Sequence, residues 1–440
     1  MNQLRKHKGY NHPVWEGQIP PVESMGKKTA ENGWTLPELN LRAIDASDMD
    51  LSGYDMQDVE FGEGTIWPKD ISKCPQNFEK LEQISEFGKD PGLGVRALHK
   101  RGIDGTGMSI AIIDQLLSDH IEYHDNLVHY EEIGYDDPHR AGDMHGSAVS
   151  SIAVGKNCGV APKSKLYYFA CNNKKKDEAG KYIPDAEPAA QALEKILKIN
   201  ETLPEGEKIQ VVSMSWGGQN KALNSDQWQT ALEKAKKAGL FVLTCHSNRE
   251  YELPYERTGR KATEDPNKNS SYIETAYPIM HSYETWLKEH KEEWIKNKGQ
   301  AVFEKDLKWA KKIDSTTFYV PAGHRTLASP VGKDEYVHYY RGGASWTTPW
   351  VAGMFVLARQ VNPNITPEHF WEIALKTSVF NEKVQGKIIQ PEKLIDTLQK
   401  ELKPKTLQTT LKKCMEKAPQ KQTTSELVQT QFLLKDKKQK

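Results

Sequence analysis

Four side chains in this sequence have the types that acyl transfer needs: a carboxylate at Asp114, an imidazole at His145, an amide at Asn248 and a hydroxyl at Ser345. A serine hydroxyl is a poor nucleophile until a base takes its proton. An imidazole can take that proton and return it to the leaving group. A carboxylate fixes the imidazole tautomer and stabilises the imidazolium. An amide N–H can hydrogen-bond the tetrahedral oxyanion. Each residue also has an ordinary reading. Asp114 and Asn248 suit turns, a histidine at a helix start is commonly solvent-exposed, and Ser345 suits an N-cap.

The elements around them decide where these groups fall. MSIAIID (108–114), KLYYFAC (165–171), QVVSMS (210–215) and LFVLTC (240–245) are short apolar runs. Such runs fit strands covered on both faces. Helical patterns lie between them in GSAVSSIAVG (146–155), EPAAQALEKILKI (187–199) and SDQWQTALEKAKKAG (225–239). Strands alternating with helices predict a parallel α/β sheet. In such sheets functional residues collect at the carboxyl ends of the strands. Asp114 closes one strand, and Asn248 follows another. His145 precedes a small-residue helix that can approach the sheet closely. Ser345 follows Gly342-Gly343-Ala344 and leads into the apolar VAGMFVLA, with Pro349 expected at the start of that helix, where its missing N–H costs nothing.

In chain order the set runs Asp, His, Asn, Ser. With its surrounding motifs it resembles the subtilisin-like serine proteases, the subtilases. TGMSIAIID resembles the family's Asp motif, and HGSAVSSIAVG resembles H-G-T-H-V-A-G-x-I-A. GVAPKSKLYYFAC resembles the segment that follows. VVSMSWGG resembles the strand and S-x-G-G edge of the substrate cleft. GGASWTTPWVAG resembles G-T-S-M-A-S-P-H-V-A-G. The resemblance runs over roughly residues 96 to 398. It implies a subtilisin-like three-layer α/β fold with a mostly parallel central sheet and helices on both faces. It also implies a serine endopeptidase acting through an acyl-enzyme. In it Asp114 is the orienting acid, His145 the general base, Ser345 the nucleophile and Asn248 the oxyanion donor, joined by the Ser345 N–H. Ser215, Trp216 and Gly217 would pair with an extended substrate as an added strand. Cys245 to Ser247 would line the pocket for the residue before the scissile bond.

The sequence departs from the family pattern at Gln115-Leu116, Ser147-Ala148, Trp346-Thr347-Thr348 and the bulky His246. None of these removes a catalytic side chain, and together they imply a crowded cleft with restricted specificity. The altered motifs also keep open a catalytically silent subtilase fold used for binding or signalling. The loop GKNCGVAP is short, so the calcium site that many relatives build there is not expected, and no metal or cofactor is assigned.

The rest of the chain bounds the partners. The 440 residues carry 60 basic and 60 acidic side chains, which argues for no polyelectrolyte partner. Mean hydropathy is −0.71, and no apolar run is long enough for a membrane span. The five cysteines are odd in number with no CxxC spacing, which fits free thiols in a reducing compartment. No apolar leader follows the first charges, so a cytoplasmic protein is expected; the resemblance implies peptide or protein substrates, and neither nucleic acid nor membrane is expected.

Residues 1–95 form an arm. Within it NLRAI, DASDM, DLSGY, DMQDV and EFGEG repeat an acid or amide before a central Leu41, Ala46, Leu51, Met56 or Phe61. The repeat resembles the pentapeptide pattern, whose coils stack as a solenoid. The other reading is a loop-rich arm that packs five apolar residues on the main domain. A helical insertion is expected at about 249–315, its aromatic stripe a packing face, and a flexible Lys/Gln-rich tail at 399–440.

Overall fold

The computed structural model describes residues 4–7, 39–42, 44–62, 64–217, 219–245, 253–273 and 283–402. The chain divides into two compact units, Met1–Thr397 and Leu398–Lys440, the second described only to residue 402. The tail expected at 399–440 therefore lies almost wholly outside the described residues. No described helix is long and apolar enough to cross a membrane.

The first unit is built on a five-stranded sheet. Its strands are β1 (Ser109–Asp114), β2 (Leu127–Ile133), β3 (Lys165–Cys171), β4 (Ile209–Met214) and β5 (Phe241–Thr244). They lie in the order β2-β3-β1-β4-β5, and every pair is parallel. All residues of β1, β4 and β5 are buried, as strands covered on both faces must be. Side chains alternate between the faces. Ala111, Ile113, Phe169, Val212 and Met214 pack with Ala189, Leu193, Ile196, Trp228 and Ala231. The helix residues come from α2 (Glu187–Thr202) and α3 (Ser225–Lys237). The opposite face is covered by α1 (Met144–Val154) and α4 (Ala344–Val361). Phe241 meets Phe355 of α4 edge-on at 5.0 Å. The result is the three-layer α/β fold that the sequence predicts.

The stretch from 249 to 315 divides. Residues Tyr255–Arg260 form a strand that pairs in parallel with Phe318–Pro321, so this part belongs to a second sheet rather than to a helical insertion. Helices occupy Tyr283–Glu289, Lys291–Lys298 and Gln300–Thr316. Leu287, Phe303 and Ala310 make their small core, with Trp294 and Leu307 against it.

The arm has a coil geometry with a physical cause. Asn40, Asp45, Asp50 and Asp55 each accept a hydrogen bond from the backbone N–H two residues on, the Asx turn that short acids and amides make. The five-residue period turns the chain after each one. Leu41, Ala46, Leu51, Met56 and Phe61 are buried in one cluster, which also takes in Ala262. The N–H groups of Leu41, Ala46, Leu51 and Met56 donate to the carbonyls of Glu60, Ile66, Lys73 and Gln76 at 2.7–3.0 Å. A first coil thus stacks on a second. Val59–Gly62 then pairs with Tyr336–Tyr339 and joins the coil to the main body.

Gln57 docks the coil on a buried histidine pair. Its amide N donates to the Arg260 carbonyl at 3.1 Å and lies 2.5 Å from His324 Nε2. His324 Nδ1 is 3.1 Å from His338 Nε2, and His338 Nδ1 is 2.9 Å from Thr326 Oγ1. With Gln57 donating, His324 carries its hydrogen on Nδ1 and the line of bonds is satisfied only if both rings are neutral. Burial and the nearby Arg260 push His338 down to about 3. Burial, His338 and Arg260 hold His324 well below the usual range. Burial likewise lowers His99 and His120. In the unfolded chain these rings titrate near 6.5. Below that pH the unfolded chain holds protons that the folded one refuses, so the stability present above about pH 6.5 is lost as pH falls. His145, whose value is raised, works the other way but is one against four. Thermal unfolding should therefore move several degrees lower between pH 7.5 and pH 5. A midpoint that rose across that range would contradict the neutral pair.

Candidate active site

Asp114 ends β1 at the carboxyl edge of the sheet, with its side chain only 3% exposed. Its Oδ1 accepts the Gln115 N–H at 2.8 Å and lies 2.7 Å from His145 Nδ1. The carboxylate thereby holds a hydrogen on Nδ1 and leaves Nε2 free to take a proton. His145 is the second residue of α1. The helix starts there because Asp143 N–H donates to the Leu116 carbonyl at 2.8 Å, tying the helix start to the loop after Asp114. Gly146 is required by the same approach: a Cβ would collide with the Tyr168 hydroxyl and press on the Gln115 and Leu116 carbonyls. Burial disfavours the imidazolium of His145. The charge and hydrogen bond of Asp114, with Asp143 adding, outweigh it and raise the ring above its ordinary value.

Ser345 is the second residue of α4. The sequence reading put Pro349 at the start of this helix; the helix begins at Ala344, so Pro349 sits inside it. A proline there cannot donate to the carbonyl four residues back, which is that of Ser345. Ser215 Oγ fills the gap, donating to Ser345 O at 2.9 Å. Ser345 Oγ in turn donates to Ser215 O at 3.0 Å. Gly342 meets the same kind of demand as Gly146, since a Cβ would run into the Ala322 carbonyl.

Cys245 Sγ lies 3.9 Å from Ser345 Oγ. Burial pushes its thiol up to about 11, so near neutral pH it is a thiol and not a competing thiolate nucleophile. Trp346 joins the two halves of the site, its ring 5.6 Å from that of His145 and 5.5 Å from that of Tyr339. A cleft of about 140 Å³ is lined by Asp114, His145, Ser215 and Trp216, with Cys171 and Asn173. Ser215 is buried, Trp216 half-buried and Gly217 exposed. Asn248 and Ser247 lie outside the described residues. The sequence reading placed Trp346 among the residues that crowd the cleft and missed Cys171 and Asn173 as parts of the site. The last two sit at the carboxyl end of β3, where the strand-end rule applies as it does to Asp114.

The site thus has a carboxylate–imidazole pair at one strand end. A serine at the start of a buried helix is fastened to the next strand end. Both lie along the carboxyl edge of the parallel sheet, where such sheets place their clefts. Residues 105–284 match the model of the subtilase family, a family of serine proteases. The matched stretch, under half of the chain, contains Asp114 and His145. No curated protein matches the chain. Among solved structures, subtilase cytotoxin SubAB is similar at 13% identity, covering 72% of this chain and 97% of that one, with a TM-score of 0.44. The prenylagaramide maturation protease PagA is similar at 13% identity, covering 69% and 98%, with a TM-score of 0.40. Both likenesses are remote.

Proposed function

We propose that the protein is a serine endopeptidase that cleaves peptide or protein substrates through an acyl-enzyme, with Asp114, His145 and Ser345 as the triad. The observation that carries this reading is the 2.7 Å Asp114–His145 bond, which leaves Nε2 as the basic nitrogen of the cleft. Ser345 Oγ attacks the scissile carbonyl as His145 takes its proton. The same proton goes to the leaving amine, and water then releases the acyl group by the reverse roles. Asn248 and the Ser345 N–H serve the oxyanion. The edge Ser215–Gly217 takes the substrate backbone as an added strand, and Cys245 and Ser247 border the residue before the scissile bond. Trp216 lines the cleft and Trp346 packs on the His145 ring, and both favour restricted specificity. None of these steps calls on a metal or cofactor.

The test is labelling by a fluorophosphonate, with the adduct located by mass spectrometry. Adduct on Ser345 supports the reading. A folded protein that never labels removes it in favour of a silent subtilase fold. That second reading draws on the Ser345 hydroxyl, which is engaged by the Ser215 carbonyl.

Two further outcomes are expected. Neutral His145 is the active form, so kcat/KM should rise with pH through a midpoint above the ordinary 6.5 of histidine. A midpoint at or below 6.5 would mean that Asp114 does not dominate the ring. Ser215→Ala orphans the Ser345 carbonyl beside Pro349, which costs about 1–3 kcal/mol. It should lower Tm and slow labelling of Ser345; unchanged Tm and rate would mean that another donor serves that carbonyl.

A further inference from the structure

We infer that residues Leu4–His7 splint the two loops that carry the Asp114–His145 pair, and that Arg5 is a positioning residue for catalysis. The inference rests on the protease reading above. The segment lies across both loops. Arg5 N–H donates to the Leu117 carbonyl at 2.9 Å, three residues after Asp114. Gly142 N–H donates to the Lys6 carbonyl at 3.2 Å, three residues before His145. Arg5 bridges to Ser118 in parallel, strand fashion. His7 Nε2 lies 2.7 Å from the Asp119 carbonyl.

The Arg5 side chain fastens the segment from below. Its guanidinium grips Glu132 of β2 with two prongs, Nε to Oε1 at 2.6 Å and Nη2 to Oε2. Both side chains are 9% exposed. Nη1 donates to the Asp137 carbonyl at 2.8 Å, in the loop that leads to His145. Tyr130 adds a hydroxyl to Glu132 at 2.8 Å. Two-pronged contacts fix geometry as well as charge. A buried carboxylate that loses its cation is strongly disfavoured. The packing is closed: a Cβ on Gly142 would collide with Ser118. The segment touches neither Ser345 nor the Ser215–Gly217 edge in any contact above. Loosening it should therefore misplace the base and leave substrate binding alone. Misplacing a catalytic group by about 1 Å costs on the order of 100-fold in rate.

The experiment compares the full chain with Arg5→Ala, Arg5→Lys and a deletion of residues 1–7. The readouts are hydrogen exchange, Tm, fluorophosphonate labelling of Ser345 and hydrolysis of fluorescent casein. Arg5→Ala and the deletion should label about 10–100-fold more slowly and lose kcat with KM little changed. Exchange should quicken at 115–119 and 137–143. Arg5→Lys should restore part of the rate, and a synthetic peptide of residues 1–8 should restore part of the deletion's. Wild-type labelling and exchange in the deletion would overturn the inference, as would a loss confined to KM. Should the deletion not fold, Arg5→Lys, which keeps the charge without the second prong, carries the same comparison against wild type. Exchange does not depend on chemistry. A wild type that never labels, while exchange still quickens in the variants, marks failure of the protease reading and not of the splint.

Discussion

Ser345→Ala is expected to remove hydrolysis, a fall of about 10⁶-fold in kcat, the size known for loss of the nucleophile in subtilisin. The variant should fold as before. Alanine keeps the Ser345 carbonyl, so the bond from Ser215 Oγ that replaces the missing Pro349 N–H survives. Among the described residues the hydroxyl gives up its bond to Ser215 O and its contact with Cys245 Sγ. The neighbouring thiol cannot take over, because burial keeps Cys245 protonated. Kinetics on casein with a Tm in parallel would check both halves. Residual turnover within 100-fold of wild type in a clean preparation would mean that the nucleophile lies elsewhere.

Asp114→Ala is expected to cost about 10⁴-fold in kcat, again the order known for subtilisin. Two effects combine. His145 loses the acceptor that holds its hydrogen on Nδ1, so part of the population carries it on Nε2 and cannot act as a base. The charge that raises the ring is lost too, so the rising limb of the pH profile should move down. Asp114→Asn separates the two. Gln115 N–H and His145 Nδ1 both use the single oxygen Oδ1, so an asparagine oxygen in its place keeps both bonds and removes only the charge. Its loss should be smaller than that of the alanine variant. Equal losses, with the limb unmoved, would mean that the carboxylate acts on something other than this imidazole.

The parts of the fold legible in the sequence are those with one simple cause. β1, β3, β4 and β5 announce themselves as continuous apolar runs because helices cover both faces. β2 does not: LVHYEEI lies at the sheet's edge, largely half-exposed, and keeps polar residues such as His129 and Glu131. The strand Tyr255–Arg260 was hidden for a different reason. It buries Thr258 and Arg260, whose guanidinium is satisfied by the carbonyls of Lys261, Ala262, Glu264 and His324. Buried polar letters whose partners are backbone carbonyls look like a surface segment when read locally. The positions of Asp114 and His145 could be read from strand-end and helix-start logic. The Ser215 hydroxyl's service to a carbonyl 130 residues away could not, because it depends on where α4 begins, and helix ends are the least legible boundaries. Nor could Leu4–His7, four residues with no pattern of their own, whose contacts lie more than a hundred residues along the chain.

The stacked coil of the arm has a consequence for solubility. Tyr336–Tyr339 pairs with Arg325–Ala328 on one side and with Val59–Gly62 on the other. Without the coil its outer backbone groups would form an open rim, a template on which a second chain can pair. The coil converts that rim into interior. Among the described residues its outermost ladder, Leu39–Asn40, is two residues long and is followed by Arg42, paired with Glu60 at 3.4 Å. A short, charged border of this kind offers little purchase to another strand. The repeat of acids and amides thus does more than turn the chain: it covers one edge of this sheet.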